Sequence, residues 1–192
     1  MKKNLLFGAV VALALLAGVA LGLSRSSGPA RADLPAGGDF VLQSADGVID
    51  SRDWRGKVVL LYFGYTHCPD VCPASMAAGA QALRTLSVEE RGRVRLLLVS
   101  VDPERDTPAH LKDYAAFFHP EMVGATAAPE EIARLAKAYG AGYVRQASAA
   151  DGTYAVDHTT ATYVIDPAGR LSDVIELGAG GDRIASTIRS LL

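Results

Sequence analysis

Two mainly apolar segments constrain the fold of this chain more than any other feature of its sequence. The segments "KVVLLYFGY" (57–65) and "VRLLLVSVD" (94–102) are dense in valine and leucine and lack the polar alternation of a half-exposed strand. Strands of this kind are buried on both faces, as in a parallel sheet covered by helices. The segment "ASMAAGAQALRTL" between them has the composition of a helix. A β-α-β unit is therefore predicted at the centre of an α/β domain.

The remaining segments extend this unit in both directions. "DFVLQSADGVIDSRDW" predicts an N-terminal hairpin turning at Asp46-Gly47, and Thr107 with Pro108 predicts a capped helix start. The later elements are a short strand at 122–126, a helix at 129–140, strand-like pieces "YVRQA" and "YAVDH", a hairpin turning at 166–169 and a helix at 180–192. This order predicts an α/β, thioredoxin-like fold with an N-terminal β-hairpin and a β-rich insertion.

An apolar segment near the N-terminus is separate from this domain. Residues 5–23 carry no charge and as a helix would extend about 28 Å, close to the thickness of a bilayer core. Such a length favours one transmembrane helix over a cleaved signal peptide, although "ARA" at 30–32 keeps cleavage as the alternative. Lys2 and Lys3 place the N-terminus in the cytoplasm. We therefore expect a single-pass protein of the bacterial inner membrane with its C-terminal domain in the periplasm.

The chain after the apolar segment divides into a linker and one domain. Segment 24–38 is rich in Ser, Pro and Gly, so we expect an anchor at 1–23, a flexible linker at 24–38 and a folded domain at 39–192. From Asp33 onward all 21 acidic residues but only 15 of the 19 basic ones remain, a formal charge of −6. An acidic domain without a basic run excludes nucleic acid as the expected partner.

The segment "GYTHCPDVCP" contains the only two cysteines of the chain, Cys68 and Cys72. They follow the first buried strand, where open α/β sheets carry their active sites. A helix that begins near Val71 or Cys72 would point backbone N–H groups at both sulfurs, which predicts lowered thiol pKa values and reactive thiols. The three-residue spacing leaves two uses open. The thiols either exchange with a disulfide, or they hold a soft metal ion such as copper(I) or zinc.

One histidine has a distinctive place in the predicted fold. His158 lies just before the apolar strand "ATYVID". In thioredoxin-like enzymes the loop entering this strand faces the dithiol and usually carries a proline, but this chain has none between Pro129 and Pro167. We therefore favour His158 as a third metal ligand, because an imidazole beside two thiolates is a donor set associated with copper. Asp157 either orients that imidazole or is an exposed turn residue.

The other histidines and two methionines have simpler interpretations. His110 and His119 flank a predicted helix and are expected at the surface or at its boundary with the core. His67 is expected to have a structural role, with tuning of the adjacent thiol as the alternative. Met76 and Met122 are expected to fill the core and not to bind metal. The charged segment "VDPERDTP" is interpreted as a strand end leading into a capped helix, or else as a docking surface for a partner.

Three longer segments resemble the signature segments of the Sco/SenC family of copper chaperones. These are "YFGYTHCPDVCP", "LLLVSVDPERDTP" and "YAVDHTTATYVIDPAGR", and the resemblance covers residues 38–192. It implies a thioredoxin-like fold and one copper ion per chain, Cu(I) or Cu(II), bound by Cys68, Cys72 and His158. After the histidine this chain has "TTATY", where many relatives have a serine and an aromatic residue. That departure leaves the implied ligands in place.

The resemblance also implies a role and partners. Family members help to assemble the dinuclear copper centre of cytochrome c oxidase subunit II, as copper donors, as thiol reductants, or both. The expected partners are that subunit or another copper acceptor, a periplasmic copper donor and the membrane. If the chain is a thiol reductase, Cys68 and Cys72 are its catalytic residues and Cys68 is the attacking thiol. The alternative is a metal-independent thiol-disulfide oxidoreductase of the cell envelope. A peroxiredoxin-like peroxidase is disfavoured, because Tyr65 stands where such enzymes need a threonine.

Overall fold

The computed structural model describes residues 34–192, which fold around one five-stranded sheet. The predicted anchor at 1–23 and most of the predicted linker at 24–38 lie outside the described residues. Within residues 34–192, no helix is both long enough and apolar enough to cross a membrane. The described residues include the whole of the domain predicted at 39–192.

The secondary structure follows the predicted order closely. The strands are β1 (Val41–Ser44), β2 (Gly47–Asp50), β3 (Val58–Gly64), β4 (Val94–Ser100), β5 (Met122–Ala125), β6 (Tyr143–Arg145), β7 (Val156–His158), β8 (Thr162–Ile165) and β9 (Leu171–Ile175). The helices are α1 (Val71–Thr85), α2 (Val88–Gly92), α3 (Pro108–Phe118), α4 (Pro129–Ala138) and α5 (Gly181–Arg189), with a short 3₁₀ turn at Ser51–Trp54.

The central sheet has the strand order β5-β4-β3-β8-β9. Strand β3 pairs in parallel with β4, and β4 pairs in parallel with β5. On the other side, β8 pairs antiparallel with β3, and β9 pairs antiparallel with β8. All seven residues of β3 are buried, which confirms that its apolar run belongs to a strand covered on both faces. Each Val or Leu buried in this way contributes about 1.5–3 kcal/mol. The polar segments that follow β3 and β4 are therefore held side by side at the C-terminal ends of two neighbouring strands in a rigid sheet.

The β-rich insertion is a separate two-stranded sheet of β6 and β7. These strands are antiparallel, with Tyr143 opposite His158 and Arg145 opposite Val156. Only three residues separate β7 from β8, which pairs with the middle strand β3, so the insertion places His158 close to the middle of the main sheet. The predicted insertion is confirmed, and pairing with Tyr143 fixes the backbone position of His158.

Two local details differ from the sequence-based expectations. Ser44 pairs directly with Gly47, so the first hairpin turns at Ala45-Asp46 and not at Asp46-Gly47. The short helix α2 was not predicted, because five residues are too few to show a helical period. Its signal is the capping box, in which the Ser87 hydroxyl accepts from the Glu90 N–H and the Glu90 carboxylate accepts from the Ser87 N–H.

Candidate metal centre

The two cysteines lie where the central strand β3 passes into helix α1. The strand ends at Gly64 and the helix begins at Val71, as the sequence predicted. Cys72 is in the first helical turn with a fully buried side chain, and Cys68 is in the preceding loop with 8% of its surface exposed. Both are free thiols. Cys68 therefore lies at the mouth of the site and Cys72 at its floor.

His158 approaches these thiols from strand β7. Its Nε2 atom lies 3.2 Å from the Cys72 Sγ atom, and its Nδ1 atom lies 3.0 Å from the carbonyl oxygen of Thr159. A carbonyl only accepts, so Nδ1 carries the proton and the lone pair of Nε2 faces the sulfur. Burial lowers the pKa of the imidazole, which keeps it neutral at pH 7. A neutral imidazole held in this way is the form that binds metal ions.

The structure thus brings together the three residues named from the sequence. One ligand atom of each of Cys68, Cys72 and His158 lies within 4.8 Å of the other two. An ion that binds two ligands at about 2.3 Å each holds them no more than about 4.6 Å apart. The group therefore fits one ion after a small adjustment. Two sulfurs and one nitrogen make a soft donor set that selects copper or zinc over magnesium or calcium.

The expected lowering of both thiol pKa values is wrong for Cys72. Burial raises the pKa of this thiol to about 12, and the Tyr65 backbone N–H, which stabilises the thiolate, only partly opposes that effect. Desolvation outweighs the helix N-terminus because the side chain is fully inside the protein. In the metal-free protein Cys72 is thus a protonated thiol, and a metal ion must displace this proton when it binds.

Two tyrosines form walls around the imidazole. The rings of Tyr62 and Tyr65 meet the His158 ring edge to face, with centroids 5.9 and 5.8 Å away. The Tyr65 hydroxyl also accepts a hydrogen bond of 3.2 Å from the backbone N–H of Val156. Tyr65 follows β3 directly and Val156 is the first residue of β7. This contact therefore joins the loop at 65–70 that carries Cys68, the cysteine loop, to the strand that carries His158.

Gly64 is a site residue that the sequence analysis missed. A Cβ atom added at this position would lie 2.9 Å from the Cys72 Sγ atom and 2.8 Å from the Tyr62 Cε1 atom. Both distances are far below van der Waals contact, so only glycine lets the strand end pass beside the buried sulfur. A glycine at the end of an apolar strand is the signal for such a close approach.

Replacing Gly64 by alanine is therefore expected to disturb the floor of the site. We expect the free energy of unfolding to fall by about 1–3 kcal/mol, because the added methyl group overpacks a rigid region. Alkylation of Cys72 in the metal-free protein should become faster as its sulfur is displaced. Gly92→Ala is the matched control, because no atom lies within 4 Å of its added Cβ. Equal unfolding free energies for the two variants would contradict the close approach.

A buried carboxylate holds the start of the cysteine loop in place through Thr66. Asp106, between β4 and α3, is fully buried and accepts hydrogen bonds from the Thr66 N–H (3.0 Å), the Thr66 hydroxyl (2.6 Å) and the Ser100 hydroxyl (2.6 Å). The Thr107 hydroxyl, one residue later, caps α3 as predicted. The sequence analysis missed Asp106, because nothing in a one-dimensional pattern links it to a threonine forty positions earlier.

A charged and aromatic cluster holds the insertion against the segment between β4 and α3. The Arg105 guanidinium lies 3.5 Å from the Tyr154 ring centroid and donates to Asp102 and to the Tyr154 carbonyl. The Tyr154 hydroxyl donates to Asp102 as well, at 2.8 Å. The segment "VDPERDTP" is therefore a strand end leading into a capped helix, as one interpretation held, and it also anchors the insertion that carries His158.

The remaining sequence interpretations have mixed outcomes. Met76 and Met122 are buried in the core, as expected. Asp157 is exposed and its carboxylate accepts from Gln146, while the Nδ1 atom of the site histidine is oriented by a backbone carbonyl. Asp157 is therefore exposed, as one interpretation held, but it lies within strand β7 and not in a turn. His110 is at the surface, but it also approaches His67.

Comparison with known proteins gives consistent likenesses. The family model described as SCO1/SenC matches residues 29–192. The mitochondrial SCO2 homolog of Bos taurus is 38% identical over 79% of this chain, and the protein SenC of Rhodobacter capsulatus is 37% identical over 88% of this chain and 75% of its own length. The chain spans 58% of the bovine relative and 60% of the relative from Mus musculus, less than two thirds of either protein.

Solved structures show the same likeness. ScoI of Bradyrhizobium japonicum with copper bound is 35% identical and superimposes with a TM-score of 0.75 over 82% of this chain and 99% of that one. Apo Sco1 of Thermus thermophilus is 37% identical, with a TM-score of 0.74 over 83% of this chain and 92% of that one. Together with the sheet order, these likenesses confirm the predicted α/β, thioredoxin-like fold.

Proposed function

The chain belongs to the SCO1/SenC family, and on that premise we propose that it is a copper chaperone. It binds one copper ion through Cys68, Cys72 and His158 and delivers it to the dinuclear copper site of cytochrome c oxidase subunit II. The observation that carries this proposal is the convergence of one nitrogen and two sulfurs within 4.8 Å. The copper-bound state of a relative of 35% identity supports the choice of metal.

The arrangement suits a metal that must be released again. Two thiolates favour copper(I), and the His158 imidazole makes copper(II) accessible as well. Cys68 is at the mouth and Cys72 at the floor, so a thiolate of the acceptor replaces Cys68 first. The ion then leaves the deeper ligands by further ligand exchange. No step exposes an unligated copper ion to water.

We also propose the cellular setting expected from the sequence. The segment 1–23 anchors the chain in the bacterial inner membrane, and the linker at 24–38 lets the domain at 39–192 reach a membrane-bound oxidase from the periplasm. A flexible linker of 15 residues has a root-mean-square reach of about 20 Å. A periplasmic copper donor fills the site before delivery.

A second activity is favoured by the two free cysteines lying within 4.8 Å of each other. The Cys68 thiolate attacks a disulfide of subunit II, which forms a mixed disulfide and releases one thiolate of the partner. Cys72, once deprotonated, attacks the Cys68 sulfur. This releases the second thiolate of the partner and leaves a Cys68–Cys72 disulfide. The two electrons that reduce the partner therefore come from this pair.

The test uses the full chain, reduced and loaded with copper without oxygen, and the copper domain of subunit II. We expect one copper per chain and, after oxidation, a thiolate-to-copper(II) charge-transfer band that His158→Ala abolishes or shifts strongly. His119→Ala, which removes an imidazole outside the three-residue group, is the control. Copper should pass to subunit II whose cysteines are already reduced.

The two activities are separated by the state of subunit II. Reduction of its disulfide by the copper-free chain, without copper transfer from the loaded chain, would replace the chaperone by the oxidoreductase. Absence of stoichiometric copper binding would contradict the proposed function altogether.

A further inference from the structure

A pair of histidines outside the three-residue group lies beside the mouth of the metal centre. His67 immediately precedes Cys68, and His110 is the third residue of helix α3. Their ring centroids are 6.1 Å apart, with the ring planes inclined by 45°. Both side chains are exposed, and that of His67 retains 48% of its surface. Unlike His158, these imidazoles are open to solvent.

One hydroxyl group holds both rings in place. The Thr66 Oγ1 atom lies 3.1 Å from His67 Nδ1 and 3.0 Å from His110 Nε2. The same hydroxyl donates its proton to Asp106 at 2.6 Å, so it accepts from both imidazoles. Two imidazole nitrogens are therefore gathered around one oxygen atom near the surface.

The carboxylate beneath this position makes it attractive to a cation. Asp106 is fully buried, and the groups that donate hydrogen bonds to it, from Thr66 and Ser100, are neutral. Among residues 34–192, the only basic side chain within ion-pair distance of its carboxylate is His67, at 3.7 Å from Nδ1 to Oδ1. A charge buried under two exposed imidazoles favours a bound positive ion at their position.

We propose that His67 and His110 form a second metal site, selective for copper(II), at the entrance to the Cys68–Cys72–His158 centre. Imidazole ligands suit copper(II), and among divalent ions of the first transition series copper(II) binds such ligands most tightly. Metal–nitrogen bonds are about 2.0–2.1 Å long, so an ion beside Thr66 Oγ1 binds both nitrogens when the two exposed rings turn away from their hydrogen bonds to that oxygen. Thr66 Oγ1 and water complete the coordination.

The site would differ in chemistry from the centre next to it. It has nitrogen and oxygen donors, which suit an oxidised, hydrated ion, whereas the thiolates suit copper(I). Because His67 adjoins Cys68 in sequence, an ion held by the pair lies close to the thiol at the mouth of the centre. The inference goes beyond the proposed function, since it concerns a site that binds metal without either cysteine.

The experiment isolates the pair by removing the thiolates. The full chain with Cys68→Ser and Cys72→Ser is titrated with copper(II) buffered by glycine and followed by electron paramagnetic resonance. One equivalent should bind with a tetragonal signal split by two nitrogens. Adding His67→Ala or His110→Ala should weaken binding by at least about 10-fold, because even the loss of a group that only orients a ligand costs 10–100-fold.

Two matched controls decide which histidines are responsible. His119→Ala, at the other end of α3, and His158→Ala should leave this copper(II) signal unchanged. Binding that is insensitive to His110→Ala, or that is lost with His158→Ala, would overturn the inference. If the double serine variant is unfolded, the wild-type chain with one equivalent of silver(I) on its thiolates takes its place.

The pair is also tested against the proposed function. With both cysteines intact, His110→Ala should still bind one copper(I) per chain. The backbone N–H of this residue donates a hydrogen bond to the capping hydroxyl of Thr107, and the substitution leaves that N–H in place. Loss of copper(I) binding in this variant would mean that the pair is not a separate site.

Discussion

Replacing Cys72 by serine is expected to abolish stoichiometric copper(I) binding by the full chain. Its sulfur is 3.2 Å from the His158 Nε2 atom and within 4.8 Å of the ligand atom of Cys68. An ion held by either of the other two residues therefore also contacts this buried sulfur. A serine oxygen is a hard, protonated donor that copper(I) does not favour. Losing a residue that only orients a ligand costs 10–100-fold in affinity, so losing the ligand should cost more than about 100-fold. Competition with a chromophoric copper(I) chelator measures this change.

A conservative change one turn along the same helix provides the control. Met76 follows Cys72 by one helical turn, is buried and also carries sulfur. Met76→Leu keeps its volume and removes that sulfur, so copper(I) affinity should remain within a few-fold of the wild type. Tight stoichiometric binding by Cys72→Ser, or a loss with Met76→Leu, would show that the ligand set is wrong.

Replacing Asp106 by alanine is expected to lower the free energy of unfolding by about 3–5 kcal/mol. The carboxylate is the acceptor for the Thr66 N–H, the Thr66 hydroxyl and the Ser100 hydroxyl. Each buried donor left without an acceptor costs about 1–3 kcal/mol, less where water enters the space. Urea unfolding of the full chain, followed by the fluorescence of its single tryptophan, Trp54, measures the loss. The cysteine loop should also become more mobile, since Thr66 lies two residues before Cys68.

Two further variants show whether the hydrogen bonds are responsible. Asp113→Ala, on the exposed face of α3, should change the unfolding free energy by less than about 0.5 kcal/mol. Asp106→Asn should be intermediate, because one amide oxygen can still accept from the two donors that share Oδ2. A loss below about 1 kcal/mol for Asp106→Ala would contradict the role assigned to this carboxylate.

Much of the fold was predictable because its signals are local. The run at 57–65 has the length and composition of a doubly buried strand, and the structure places it at the centre of the sheet. Thr107 and Pro108 mark a helix start by their own chemistry, and the helix begins there. Helix α2 and the exact hairpin turn were harder, because they involve too few residues to produce a period. Such elements are decided by capping and pairing and not by composition.

Local patterns along the chain were sufficient to predict the class of the domain, the place of the cysteines after the central strand, and His158 as the histidine of the three-residue group. These follow from strand burial, helix starts and chain order, which are properties of short stretches. Packing in three dimensions was needed to show that burial raises the pKa of Cys72 and that Gly64 must lack a side chain. It alone paired His67 with His110 through Thr66. Each of these depends on atoms that distant parts of the chain bring within a few ångströms, and no pattern along the chain records such distances.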